Sequence, residues 1–172
     1  MKIFLWGLMG AGKTSLAKNI SHHIRGLRFF DLDLLIESKT GRSISGIFSQ
    51  EGEEAFRTIE SQILRETIGT SDNFVLATGG GTPVFFDNAE LMRASGLTIY
   101  LKASPEILAQ RLWPEKNKRP LIANAQSPAD LRSILEELLK KREPYYLQAH
   151  IIWDINRPAQ ELIDKLKFMA GC

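Results

Sequence analysis

Residues 7–14 read Gly7-Leu8-Met9-Gly10-Ala11-Gly12-Lys13-Thr14 and match the spacing G-x-x-x-x-G-K-[ST]. Glycines in such a loop let the backbone curl until its N–H groups point inward around a phosphate. A helix starting at the loop adds the positive end of its dipole. Lys13 brings a point charge to the β and γ oxygens of a nucleotide, and Thr14 brings a hydroxyl ligand for Mg²⁺. Gly10, Ala11, Gly12, Lys13, Thr14 and Ser15 are therefore the candidate cradle for a polyphosphate. The flanks agree: Ile3-Phe4-Leu5-Trp6 is a short apolar run of the kind that forms a buried strand, and Ser15 to Ile20 has helical spacing.

A loop of this kind is commonly served by an Asp at the end of another apolar strand. Phe74-Val75-Leu76-Ala77 runs into Thr78-Gly79 and has none. The carboxylates come instead after Leu27-Arg28-Phe29-Phe30, as Asp31 and Asp33. Residues two apart on extended chain project to one side. One of the pair can then serve a metal through its water shell while the other faces an acceptor hydroxyl. Asp33 is equally placed to be the N-cap of the helix that follows. Other charged groups are less telling alone. Arg57 and Glu60 are spaced i,i+3, which also describes a surface ion pair. Arg142, in Lys140-Lys141-Arg142-Glu143, reads as a solvated helix end, and Arg119 precedes Pro120 in a polar stretch. Gly79-Gly80-Gly81 follows a buried strand, where missing side chains permit close approach of backbone to a ligand.

The elements that must carry these residues alternate. Strands are expected at 2–6, 27–30, 74–77, 98–101 and 150–153. Helices are expected at about 13–25, 33–39, 51–69, 87–94, 105–112 and 128–143, the last of these stopping before Pro144, with a further helix opened by Pro158. Residues 113–126 read as a polar loop. The pattern predicts an α/β fold: three layers, α/β/α, with a five-stranded parallel sheet. Ligands of open α/β sheets bind beyond the carboxyl ends of the strands. The phosphate loop, Asp31/Asp33 and the triple glycine all fall at such ends and can converge on one cleft.

With 172 residues the chain is long enough for one domain with a proper core. Its net charge of +2, with Lys and Arg spread along the chain, gives no basis for a nucleic-acid or membrane partner. The one cysteine, Cys172, allows no internal disulfide and fits a reducing cytosol. No segment reads as a leader or a membrane span, so a cytoplasmic protein is expected. His22 and His23 have no partner at metal-ligand spacing, and His150 reads as a packing or surface residue.

Taken in order, the phosphate loop, Asp-x-Asp, Phe-Arg-x-x-Glu, Gly-Gly-Gly, Arg-Pro-Leu and Arg-x-Pro-x-Tyr resemble the shikimate kinase family over almost the whole chain. Gly41-Arg42-Ser43-Ile44 and the run from Glu51 to Glu60 fit as well. The resemblance implies a P-loop kinase fold, similar to the nucleoside monophosphate kinases, with a mobile lid at about 113–124 and a substrate-binding helical segment at about 33–60. It implies transfer of the γ-phosphate of ATP to the 3-hydroxyl of shikimate, a step toward chorismate and the aromatic amino acids, using ATP and Mg²⁺. Fold size and the lack of an obvious exposed apolar helix favour a monomer. Asp33 would bind the reacting hydroxyl as base or orienter. Arg57 and Arg142 would clamp the carboxylate, and Gly79, Gly80 and Gly81 would offer backbone N–H groups to a substrate hydroxyl. Thr14 and Asp31 would hold Mg²⁺, with Lys13 and Arg119 on the phosphates. Arg111 and Arg157 would border the adenine. Another small-metabolite kinase, such as a gluconate kinase, is the alternative enzyme. A guanine-nucleotide switch is disfavoured, because Asn117-Lys118-Arg119-Pro120 lacks the Asp of a guanine-reading Asn-Lys-x-Asp. Among the departures, Trp6 stands where the family pattern has a smaller apolar residue. Thr14-Ser15 reverses the usual order of the two hydroxyl residues, and Asn156-Arg157-Pro158 is a shortened turn.

Overall fold

The sheet consists of β1 (Lys2–Trp6), β2 (Arg28–Asp31), β3 (Phe74–Ala77), β4 (Leu97–Lys102) and β5 (Ile151–Asp154). All pairings are parallel and the order is β2-β3-β1-β4-β5. β1 registers Ile3 with Val75 and Phe4 with Leu76 on one side, and Leu5 with Ile99 on the other. The apolar runs of β1 and β3 are buried throughout, as strands covered on both faces must be. Strand order switches direction around β1, so the loop leaving β1 opens into the crevice where such sheets bind ligands. This computed structural model describes residues 1–70, 72–119 and 121–171, without the side chain of Lys118. Cys172 and Pro120 of the expected lid lie outside the described residues.

The helices are α1 (Lys13–His23), α2 (Leu32–Thr40), α3 (Ile44–Ile68), α4 (Asn88–Ser95), α5 (Pro105–Leu112), α6 (Pro128–Tyr146) and α7 (Ala159–Ala170). They flank the sheet, α5 packing on α6 and α1 on β3 and α7. Their starts are written in the sequence: Ser104 caps α5 and Ser127 caps α6, each followed by Pro at the first helical position. The core joins Trp6, Phe4, Phe74, Tyr100 and Tyr146, all fully buried, with Phe4 and Phe74 edge to face at 5.7 Å.

Three boundaries differ from expectation. Helical structure begins at Ile44, not at about 51, because Ser43 caps a separate first segment by accepting from the Gly46 N–H at 3.1 Å. Gly52, at φ +82°, then breaks that segment from the expected one. α6 runs through Pro144 to Tyr146. Proline removes one backbone donor, but near a helix end that loss is small, and burial of Tyr146 holds the last turn in place. Within the expected loop, Trp113–Lys118 forms a 3₁₀ turn.

Candidate active site

The crevice at the carboxyl ends of β1, β2 and β3 holds three adjoining cavities. The middle one, about 260 Å³, is lined by the phosphate loop, by Asp31 and Asp33 and by Gly79 and Gly80, so the three strand-end motifs do converge. Gly10 and Gly12 take φ of +80° and +89°, the curl that their spacing predicts, and Gly12 caps α1. Lys13 Nζ donates to the carbonyls of Gly7 at 2.8 Å and Leu8 at 3.0 Å, which folds its ammonium back over the loop. Burial brings the Lys13 ammonium down to about 8, against the opposing pull of Asp33.

The Thr14 hydroxyl donates to Asp31 Oδ2 at 2.7 Å. Asp31, not Asp33, is the N-cap of α2: its other oxygen accepts from the Asp33 N–H at 3.1 Å and the Leu34 N–H at 3.4 Å. Asp33 therefore sits in the first helical turn rather than on extended chain. The reading of Asp33 as a helix cap is thus excluded, and its carboxylate is free to face the cavities. Burial, reinforced by the nearby charges of Asp31 and Glu60, raises Asp33 to about 6, with Lys13 and Arg119 pulling the other way.

Asp33, Gly79, Gly80, Met9 and Arg119 also line the second cavity, of about 330 Å³. Its floor carries two arginines that the sequence left open as surface groups. Arg57 is 4% exposed and Arg142 7%. Arg57 pairs with Glu60, fully buried, at 2.8 Å and with Glu53 at 3.0 Å. Its guanidinium stacks on Phe85 at 4.4 Å. The triple glycine is spaced by these side chains. A Cβ on Gly81 would come within 2.6 Å of Arg57 Cζ, and one on Gly79 within 2.8 Å of Glu60 Oε1. Such approaches leave no room for any side chain.

Met9, Phe48 and Phe56 line this cavity as well, with the two rings 4.6 Å apart. Sequence reading used Phe56 as the first letter of Phe-Arg-x-x-Glu and gave Met9 and Phe48 no role. The signal available was position: Met9 lies inside the loop motif, and Phe48 falls one helical segment before Phe56.

The third cavity, about 250 Å³, adjoins the phosphate loop through Gly12 and Ser15 and also touches Ala11. Arg111 and Arg157 both line it. Arg111 donates to the Gly10 carbonyl at 3.3 Å, and Arg157 lies over the Trp153 ring at 4.2 Å while pairing with Glu161. The crevice thus offers a cationic, N–H-rich centre between a pocket bordered by Arg111, Trp153 and Arg157 and a pocket with two arginines and a carboxylate. Every site residue expected from the sequence borders it.

The family model for shikimate kinase matches residues 9–169. The chain belongs to the shikimate kinase family. It is 44% identical over 160 residues to a shikimate kinase of Parabacteroides distasonis, covering 93% of this chain and 91% of the relative. A shikimate kinase of Azobacteroides pseudotrichonymphae is 47% identical over 156 residues, or 91% of each chain. Among solved structures, the shikimate kinase of Bacteroides thetaiotaomicron superposes with a TM-score of 0.89 at 33% identity, covering 100% of this chain and 99% of that one. The shikimate kinase of Acinetobacter baumannii in complex with shikimate gives 0.86 at 38% identity over 99% of this chain and 93% of that one. Trp6, which ends β1 beneath the phosphate loop, is fully buried, and its indole N–H donates to the Tyr146 carbonyl at 3.2 Å.

Proposed function

We propose that this chain transfers the γ-phosphoryl group of ATP to the 3-hydroxyl of shikimate, giving ADP and shikimate 3-phosphate. The observation that carries the reading is the position of Asp33 in the wall shared by the phosphate cavity and the two-arginine cavity. A hydroxyl held there faces the end of a polyphosphate lying on the loop. Arg57 and Arg142 suit the acid's carboxylate, because a guanidinium donates two parallel hydrogen bonds to a planar carboxylate. The Gly79–Gly81 backbone suits a ring hydroxyl, and Phe48 and Phe56 suit the ring carbons.

Phosphoryl transfer needs alignment and neutralised oxygens more than covalent help. The acceptor oxygen forms a bond to the γ-phosphorus as the bond to the β,γ-bridging oxygen breaks, and the hydroxyl proton passes to the Asp33 carboxylate. Lys13 and Arg119 supply charge to the phosphate oxygens. The Thr14 hydroxyl and Asp31 carboxylate, 2.7 Å apart, are hard oxygen donors of the kind Mg²⁺ prefers, and in this reading they hold the ion. When bound, Mg²⁺ supplies positive charge to the phosphates. Arg111 and Arg157 flank the adenine.

Residues 113–124 serve as a lid that brings Arg119 to the phosphates and excludes water, which would otherwise hydrolyse ATP. Residues 33–60 hold the acid. All of this belongs to one domain, and a monomer suffices because every proposed group comes from a single chain. Among the described residues no helix is long and apolar enough to cross a membrane, and cytoplasmic residence, where ATP is available, completes the reading.

The test is ADP release from Mg-ATP with shikimate, gluconate or a nucleoside monophosphate as acceptor. Release with shikimate alone is expected. Turnover of gluconate without shikimate would overturn the assignment.

A further inference from the structure

Trp6 ends β1, and the next residue, Gly7, opens the phosphate loop and accepts from Lys13 at 2.8 Å. The Trp6 indole N–H donates away from that loop, to the main-chain carbonyl of Tyr146 at 3.2 Å. Tyr146 is itself fully buried, with its ring 5.1 Å from that of Tyr100, and its hydroxyl donates to the Gly80 carbonyl. Arg142 lies four residues earlier on the same helix, so the two side chains share one face. The Arg142 guanidinium faces the Tyr146 hydroxyl, and its Nη1 lies 3.4 Å from where a Cβ on Gly80 would stand. One residue thus touches the loop-bearing strand, the triple glycine and the arginine.

Tyr146 sits in the last turn of α6, beyond Pro144, which has no N–H to give the Lys140 carbonyl. That turn lacks one backbone bond but keeps the Leu147 N–H to Glu143 carbonyl bond at 2.9 Å, and contacts outside the helix add to its placement. Trp6 and the Tyr146 hydroxyl supply two such contacts, beside Tyr100 and Lys102, which reach Glu143 at 3.4 Å and 3.3 Å.

We infer that Trp6 and Tyr146 are positioning residues for the acid half of the site, fixing the end of α6 so that Arg142 is aimed at the substrate carboxylate beside Gly80. This rests on the reading of the two-arginine cavity as the shikimate site. It goes beyond that reading by tying the arginine to the strand under the phosphate loop through the Trp6 indole. A smaller apolar residue at position 6 could make no such hydrogen bond.

The experiment is steady-state kinetics on Trp6→Phe, Tyr146→Phe, Arg142→Ala and the double variant Trp6→Phe/Arg142→Ala, with melting temperatures alongside. Because the Tyr146 carbonyl loses its tie to β1 and keeps only the local Ala149 N–H at 3.1 Å, Trp6→Phe is expected to raise the shikimate KM about fivefold while the ATP KM changes less than about twofold. Tyr146→Phe, which removes a single oxygen and is the variant to rely on if Trp6→Phe folds poorly, is expected to do the same. In the Arg142→Ala background, Trp6→Phe should add less than about twofold to the shikimate KM, because it acts through Arg142. A role in general stability alone would move both KM values together, or would add in full to Arg142→Ala; either result overturns the inference. So does an unchanged shikimate KM in Tyr146→Phe. Wild-type enzyme that turns over shikimate while the variants match it overturns this inference alone. Wild-type enzyme inert toward shikimate overturns the functional reading and this inference together.

Discussion

Glu60 holds Arg57 with one carboxylate oxygen at 2.8 Å and the Thr82 hydroxyl with the other at 2.6 Å. Arg57 spends three of its five donors on Glu53 and Glu60, leaving one N–H on each terminal nitrogen. Glu60 is fully buried, so it depends on that guanidinium for compensation, and Arg57→Ala would confound binding with stability.

Arg57→Lys separates the two. A lysine keeps the charge beside Glu60 but loses the planar fork that a carboxylate prefers. It is expected to raise the shikimate KM by about tenfold or more, with the ATP KM within about twofold, as for loss of one charge-assisted hydrogen bond. Initial-rate kinetics with each substrate varied in turn decide it. Equal rises in both KM values would make Arg57 a structural residue.

Asp33→Asn has consequences of two signs. Without a carboxylate to accept the proton, turnover should fall about 10²- to 10⁴-fold while ATP binding persists. Since Asp31 caps α2 and Asp33 does not, the helix start is untouched. Asp33 is held near 6 in the fold against the ordinary 3.8, so the folded state binds this proton more tightly than the unfolded chain does. The charged carboxylate therefore lowers stability in full above about pH 6, and the penalty fades as pH falls toward 4. Asp33→Asn should be more stable than wild type at pH 7.5, by on the order of 3 kcal/mol, melt higher there, and melt close to wild type at pH 4. The same proton gives the wild type an acid limb in kcat/KM near pH 6, with activity lost below it and absent from the residual rate of the variant. Calorimetry and a pH profile measure both, and equal melting temperatures at pH 7.5 would refute the burial account of Asp33.

What the sequence made legible was set by chain-local signals. The loop motif, the helix starts at Pro105 and Pro128, and the buried runs of β1 and β3 each depend on neighbours within a few residues, and each was readable. The surroundings of Arg57 and Arg142 were not. An i,i+3 pair looks alike on a surface or in a core, and only the packing of α3 against the segment at Thr82–Phe85 buries it. The extension of α6 past Pro144 was hidden for a similar reason. Proline's local preference is overridden by Tyr146, whose partners Trp6 and Gly80 lie 140 and 66 residues away. Asp31 and Asp33 were paired correctly, but capping by Asp31 turns the chain helical one residue sooner than the strand pattern implied.

The triple glycine offers a steric test. A methyl group on Gly81 would stand 2.6 Å from Arg57 Cζ, and Arg57 is fixed by Glu60, Glu53 and Phe85 and cannot swing clear at small cost. Gly81→Ala is expected to push the guanidinium out of line and raise the shikimate KM about tenfold, with a loss of stability of ~1–3 kcal/mol for overpacking. Gly12 belongs to the other half of the crevice and lies away from Arg57, so the ATP KM should hold. Paired KM measurements and thermal melts test this, and an ATP KM that rises as much as the shikimate KM would show that the loop had moved instead.

Arg119 borders both the phosphate cavity and the acid cavity, and its own backbone is bound into a local turn. Its N–H donates to the Lys116 carbonyl at 3.0 Å, its carbonyl accepts from Ile122 at 3.1 Å, and Lys116 Nζ reaches the Ala123 carbonyl at 3.0 Å. These bonds fix the Arg119 backbone beside the two cavities. In the proposed reaction that cation meets the γ-phosphate as charge shifts toward the leaving oxygen, so its worth lies in the transition state rather than in ground-state binding. Arg119→Ala should then lower kcat by about 10²- to 10³-fold while both KM values change less than about threefold. Lysine at this position should recover part of the rate, since it restores charge without the fork. A kcat within tenfold of wild type, or a loss confined to the ATP KM, would mean that Arg119 only helps to bind nucleotide and that charge from Lys13 suffices for transfer.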